Sequence, residues 1–259
     1  MKKTLFIILF ILSVSKLFSA EIVIYNAADL VYAMEELGDV YAKKYPQDKI
    51  KMVYGSSGKG FIQIINGAPY DITLMADMEY LHKLKEKGLV SSEIKPYAIG
   101  RIVIWKRKSS SLDLSKGISV ILDPSIKKIA IANWDHAPYG VAAKECLEYY
   151  KMFDKVKDKF VLGENVSQTA QFIQTGAADI GFIALSISLG KKLREDGVYY
   201  LLPEKCHREI KQGYAILKNP TNDHQKFLLS KRFYDFITSK EARQIFIKYG
   251  FVLPGELNE

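Results

Sequence analysis

Residues that bind metals or act as nucleophiles are scarce in this chain, which has four histidines and two cysteines in 259 residues. His82, His136, His207 and His224 are scattered, and no H-E-x-x-H or C-x-x-C spacing occurs. The patterns that would argue for a bound metal cation are therefore missing. His136, just before an A-P-Y-G turn, reads as a solvated loop residue near a cleft mouth. Cys206 and His207 adjoin along the chain, which is not the spatial pairing a thiolate nucleophile requires. With no nucleophile and base in view, the residues argue against an enzyme. Beyond the first 20 residues no apolar run reaches the roughly 18 that a membrane-spanning helix needs. There is no internal repeat and no low-complexity tract. A nucleotide P-loop is absent too. The nearest match, "VYGSSGKGFIQIING" at 53–67, follows Lys59 with Gly60 instead of Ser or Thr, and only Ser56 and Ser57 separate Gly55 from Gly58.

The chain opens "MKKTLFIILFILSVSKLFSA", two lysines and an apolar run ending in the small residues Ser19 and Ala20. That order is a secretory signal peptide over 1–20, with Lys16 leaving the run short for a membrane span. Neither cysteine stands at its end for lipid attachment, so the expectation is a freely soluble periplasmic protein. The segment carries three lysines and no acid, which leaves +5 of the formal +8 on the remainder. A basic balance favours an anionic ligand by steering. The lysines are interspersed with acids ("KEKGLVSSEIK", "KKLRED") and read as solvated helix faces, so nucleic acid is not an expected partner. Cys146 sits in a helical pattern and Cys206 in a polar loop. Sequence leaves their pairing open, and two free thiols are the simpler reading.

Short apolar strands alternate with amphipathic helices. "EIVIYNA" reads as a strand and "LVYAMEELGDVYAKKY" as a helix; "KIKMVYG", "GFIQIINGA", "DITLMAD" and "MEYLHKLKEKG" repeat the alternation. "IGRIVIWKRK" looks like one long strand. It is followed by "KKIAIANW", "YGVAAKECLEYYKMF", "KFVLGE", "VSQTAQFIQTG", "DIGFIAL", "SISLGKKLRED" and "EIKQGYAILKN", and one long amphipathic helix is expected over 223–248. Such alternation predicts an α/β protein with parallel sheet covered by helices. Two α/β units suggest two lobes: lobe 1 over 21–100 with 214–259 returning to it, and lobe 2 over 101–213, with crossings near Arg101 and Gly213.

Five strand-to-helix turns place a small or polar residue where a helix begins: Ala28-Asp29, Ser56-Ser57, Pro138-Tyr139-Gly140, Asn165-Val166 and Ala184 to Ser186. In open α/β sheets ligands bind beyond the carboxyl ends of strands, so turns of this type face a crevice. Helix starts offer unpaired N–H groups and the positive end of a macrodipole to an anion. Each turn alone has a purely structural explanation: Ser57 as a cap, Asn165 with Gln168 as a capping box, Pro138 as an ordinary first-turn proline.

The stretches "NAADLVYAM", "YGSSGKGFIQIINGAPYDITLMAD", "IAIANWDHAPYGVAAKECLE", "GENVSQTAQFIQTGAADIGFIALS" and "ITSKEARQIFIKYGF" span almost all of the exported region. Through them the chain resembles the periplasmic molybdate-binding proteins (ModA type) of ABC transporters. It implies a type II periplasmic binding protein fold, two lobes of mixed sheet flanked by helices, that clamps molybdate or tungstate as a monomer and hands it to a membrane permease. No cofactor and no bare metal cation are implied. In that family the anion is held by a hydroxyl after the first strand, a serine of the second loop, backbone N–H groups at the A-P-x-G turn and the next helix start, and a tyrosine hydroxyl beyond a later strand. Carried over, these fall on Asp29, on Ser56 or Ser57 (best Ser57), on Tyr139, on Val166 and on Ala184.

Two positions depart from that pattern, since Ala184 has no hydroxyl and an ionised Asp29 only accepts hydrogen bonds. Asp29 is expected to cap its own helix. It also keeps alternatives open: another oxyanion such as sulfate or phosphate, a protonated oxyanion, a cation or a ferric complex. An exported enzyme acting on a phosphorylated or sulfated small molecule is the rival from another class.

Overall fold

The computed structural model of the chain describes residues 20–218 and 223–255. The expected signal peptide, apart from Ala20, lies outside the described residues. Two five-stranded mixed sheets form the framework. The first has the order β2-β1-β3-β10-β4, built from β1 (Glu21–Ala27), β2 (Lys49–Gly55), β3 (Ile72–Met75), β4 (Lys95–Gly100) and β10 (Ile210–Ile216). The second has the order β7-β6-β8-β5-β9, from β5 (Ile102–Arg107), β6 (Ile129–Ala132), β7 (Phe160–Gly163), β8 (Ile180–Ala184) and β9 (Gly197–Leu201). Because β10 lies in the first sheet over its whole length, the chain has completed its second crossing before Ile210.

Parallel pairing of β1 with β2 and β3, and of β6 with β7 and β8, sets the strand ends side by side. Ala27 stands opposite Gly55 and Ala132 opposite Gly163. Register alone thus gathers the turns after β1, β2 and β3 on one sheet and those after β6 and β7 on the other. Helices follow these strands because the sequence switches period there. In α1 (Val31–Lys44), Ala33, Met34, Leu37 and Tyr41 form one buried stripe. They pack on Ile22, Ile24, Leu74 and the C-terminal helices, with the Tyr41 ring edge-on to Phe233 and Phe236. Helices α2 (Ser57–Ile65) and α3 (Met78–Glu86) complete this lobe. The second lobe carries α4 (Pro138–Tyr149), α5 (Phe153–Val156), α6 (Val166–Thr175), α7 (Leu185–Ser188) and α8 (Lys191–Asp196) around Trp105, Ile131, Ile173 and Phe182.

Several expectations needed correction. The stretch read as one strand at 99–108 is two, β4 and β5, in different sheets. They part at the half-buried Arg101, whose guanidinium pairs with Glu204 at 3.0 Å. The single C-terminal helix is α9 (His224–Phe236) and α10 (Lys240–Lys248), parted where Ser239 accepts from the Ala242 amide at 3.2 Å and starts a new helix. A local cap outweighs continuity of the apolar pattern there. "SISLGKKLRED" similarly splits into α7 and α8 at Gly190. The strand β9 was not anticipated. It is an edge strand whose Val198 and Tyr199 are exposed although its sequence, GVYYL, is apolar throughout.

Cys146 of α4 and Cys206, in the 3-10 turn Glu204–Cys206, form a disulfide, which replaces the simpler reading of two free thiols. Their Cα atoms are 4.5 Å apart across a separation of 60 residues. The bridge ties the helix that begins at the A-P-Y-G turn to the segment feeding β10.

Candidate functional site

Where the facing turns meet, they line a small cavity of about 10 Å³. Five of the six residues singled out from sequence line it: Asp29, Ser56, Ser57, Tyr139 and Val166. Ala184 does not. It ends β8 fully buried, opposite Ile102 of β5. Ser186, two residues on, reaches the site from outside, its hydroxyl donating to the backbone carbonyl of Asp29 at 2.7 Å.

The serine pair divides two tasks in a way the sequence did not show. Ser56, not Ser57, caps α2, its Oγ accepting from the Lys59 amide at 3.3 Å. Ser57 is the first helical residue and is fully buried. Its Oγ accepts from the Ala76 amide at 2.9 Å, which leaves its own O–H to donate elsewhere.

On the opposite lobe, Pro138 and Tyr139 open α4, and Val166 opens α6. Amides of a helix's first turn have no intrahelical acceptor. Asn165 Oδ1 takes the Ser167 and Gln168 amides at 3.0 and 2.9 Å, and Gln168 Oε1 reaches back to the Glu164 amide at 2.7 Å. The capping box therefore closes one residue early, and no member of it takes the Val166 N–H.

Asp29 does not cap its helix. No side-chain cap bond forms at either the 3-10 turn Ala28–Leu30 or α1. Instead its Oδ2 accepts from the Tyr139 hydroxyl at 2.9 Å and from Gln212 Nε2 at 2.6 Å. Tyr97 extends the network by donating its hydroxyl to Gln212 Oε1. Gln212 and Tyr97 were invisible as site residues in the sequence, because they lie on β10 and β4 and reach Asp29 only through sheet register. Burial raises the Asp29 carboxyl to about 6, against the opposing pull of Gln212, Tyr139 and its own backbone amide. Its Oδ1 is buried with no hydrogen-bond partner.

Three further contacts draw the lobes together. The Gly58 amide donates to the His136 carbonyl at 2.9 Å, Ser56 Oγ lies 2.9 Å from His136 Nδ1, and Lys59 Nζ pairs with Glu164 at 3.2 Å. His136 is thus half-buried and engaged with the opposite lobe, in place of the solvated loop residue expected. Among the described residues lining the cavity there is no lysine, arginine or histidine. What the site offers is serine hydroxyls, helix-start amides and one carboxyl.

Comparison with known proteins agrees with this architecture. A family model described as bacterial extracellular solute-binding protein matches residues 22–252. The chain is 32% identical to a molybdate-binding protein ModA of Rhodobacter capsulatus, covering 90% of this chain and 89% of that one. It is 31% identical to the ModA of Azotobacter vinelandii, covering 91% of each. The solved structure of the Azotobacter vinelandii periplasmic molybdate-binding protein superimposes with a TM-score of 0.82 at 28% identity, covering 90% of this chain and 99% of that one. With its two mixed sheets, its cavity at the facing strand ends and a family match that spans both lobes, this chain belongs to the bacterial extracellular solute-binding protein family.

Proposed function

We propose that this chain captures molybdate, and tungstate with it, between its two lobes in the periplasm and delivers the anion as a monomer to an ABC permease. The observation that carries this reading is the cavity itself: small, and lined beside the Asp29 carboxyl by two helix starts and the serine pair. A tetrahedral dianion stripped of water needs several donors converging from different directions, and helix-start amides supply them without a cation. Ser57 is assigned as a hydroxyl donor and the Tyr139 and Val166 amides as backbone donors. The lobe-to-lobe contacts of Gly58 and His136 support closure about the two crossings as the capture step. The relatives are binding proteins, and on this reading the ligand is released unchanged. Asp29 favours a second reading in which the oxyanion is sulfate or phosphate.

Thermal unfolding of the exported form with molybdate, tungstate, sulfate and phosphate decides between them. A ligand bound only by the folded state adds about 2.7 kcal/mol at a hundredfold excess over its dissociation constant. A rise with molybdate and tungstate alone is expected; a rise only with sulfate or phosphate overturns the assignment. In the same assay Ser57→Ala is expected to weaken molybdate binding by about tenfold, the loss of one hydrogen bond to a charged group. Undiminished affinity in that variant would remove Ser57 from the site.

A further inference from the structure

Asp29 stands where a dianion would be held, and its two oxygens are not equivalent. Oδ2 already accepts two hydrogen bonds, from Tyr139 of α4 and Gln212 of β10. Oδ1 is buried and has none, although the residue lines the cavity. This difference settles where a proton would sit. Two donors aimed at Oδ2 keep that oxygen an acceptor, so a proton resides on Oδ1 and can be donated into the cavity.

We propose that Asp29 binds the oxyanion as a neutral carboxylic acid, its Oδ1–H serving as a hydroxyl donor, so that each dianion is captured together with one proton. The inference rests on the oxyanion-capture reading and identifies the residue that makes capture depend on pH. No bond to the central atom forms or breaks. One proton passes from solvent to the Asp29 carboxylate as the anion enters and returns to solvent as it leaves.

The surroundings of Asp29 leave no other way to relieve the repulsion. From α4 it is faced by Tyr139, from β4 by Tyr97 and from β10 by Gln212. From α7 the Ser186 hydroxyl takes the Asp29 carbonyl, and across the cavity stands Ser57 of α2. Both tyrosines have hydroxyls held well above their ordinary range by burial and by the Asp29 charge, so neither supplies a compensating ionisation. No cationic group among the described residues shifts the ionisation of Asp29. An ionised carboxylate as deeply buried as that of Asp29 would repel a dianion beside it strongly, because charges in a low-dielectric interior are poorly screened. The burial that lifts the carboxyl to about 6 in the protein alone already moves it towards the neutral form, and a bound dianion moves it further in the same direction.

The test is calorimetric titration of the exported protein with molybdate between pH 7.0 and 8.5, in pairs of buffers with different ionisation enthalpies, for the wild type and Asp29→Asn. Molybdate is fully deprotonated across this range, so any proton taken up enters the protein. The wild type is expected to take up one proton per anion, and its dissociation constant to rise about tenfold per pH unit. Asp29→Asn places an amide N–H where the acid's O–H would be. Its affinity is expected to be flat with pH and, at pH 8.5, at least about tenfold tighter than that of the wild type. Wild-type affinity for molybdate that is flat with pH, without proton uptake, overturns the inference and leaves molybdate capture standing. Binding of hydrogen phosphate alone, without proton uptake, overturns both, since the carboxylate would then accept the anion's own proton. Absence of binding by molybdate, tungstate, sulfate and phosphate at every pH also overturns both.

Discussion

In the absence of ligand, Asp29→Asn is expected to melt higher than the wild type at pH 7.5, and the difference to vanish near pH 4. The difference arises from proton linkage. Burial raises the folded-state carboxyl from 3.8 to about 6. Between those values the folded protein binds more protons than the unfolded chain, so stability falls as pH rises. The contribution of the neutral acid is fully present below the unfolded value and is lost as pH passes through about 6. At pH 7.5 the wild type therefore carries a destabilisation of about 3 kcal/mol relative to a group that never ionises. Asparagine never ionises, and its carbonyl can accept from Tyr139 and Gln212 as Oδ2 does. For a chain of this size about 3 kcal/mol corresponds to a rise of roughly 6–12 °C. Scanning calorimetry of both proteins from pH 4 to 8 checks it. A variant that melts at or below the wild type at pH 7.5 would mean that the carboxylate is stabilised in the fold by something beyond its two donors.

On the proposed reading such a cost is borne for binding, and Asp29 marks where the sequence is and is not readable. β1, β2, α3 and α6 were legible because each carries a clean apolar period bounded by a polar residue or glycine. The turns of the site were legible for the same reason, as small or polar residues placed where period two gives way to period 3.6. The pairing of Asp29 with Gln212 was not, because Gln212 sits on a strand far along the chain and, with Tyr97 bonded behind it, meets Asp29 only once β10 has joined the first sheet. Asp29 resembles a helix cap because aspartate is a common one; the donors that draw its carboxylate inward are Gln212, placed by the register of β10, and Tyr139, placed by α4 of the opposite lobe. The disulfide was hidden likewise, since 60 residues separate two cysteines brought to 4.5 Å by the packing of α4 on the turn before β10. Within the serine pair the cap falls on Ser56 and not on Ser57, although both line the cavity. Which serine caps depends on where α2 starts, and helix boundaries are the part of a sequence reading least fixed by periodicity.

Gly58→Ala is expected to separate closure from folding. Gly58 is the second residue of α2, where an alanine suits the backbone, and exchanging a helical glycine for alanine gains roughly 0.5–1 kcal/mol for the lobe itself. In the closed protein, however, a Cβ at this position would stand 2.7 Å from both the Cβ and the carbonyl oxygen of His136. The same carbonyl accepts the Gly58 amide at 2.9 Å, so the added methyl pushes against the acceptor that holds the lobes together. Overpacking of this kind costs about 1–3 kcal/mol, and it falls only on the closed state. Affinity for molybdate is therefore expected to drop by about tenfold or more, while the ligand-free protein melts within about 1 kcal/mol of the wild type. Small-angle scattering should show the variant remaining more extended than the wild type when molybdate is in excess. Unchanged affinity with unchanged compaction would place the closing contact elsewhere. A large fall in melting temperature with the affinity preserved would mean that Gly58 serves the packing of α2 and has no part in the meeting of the lobes.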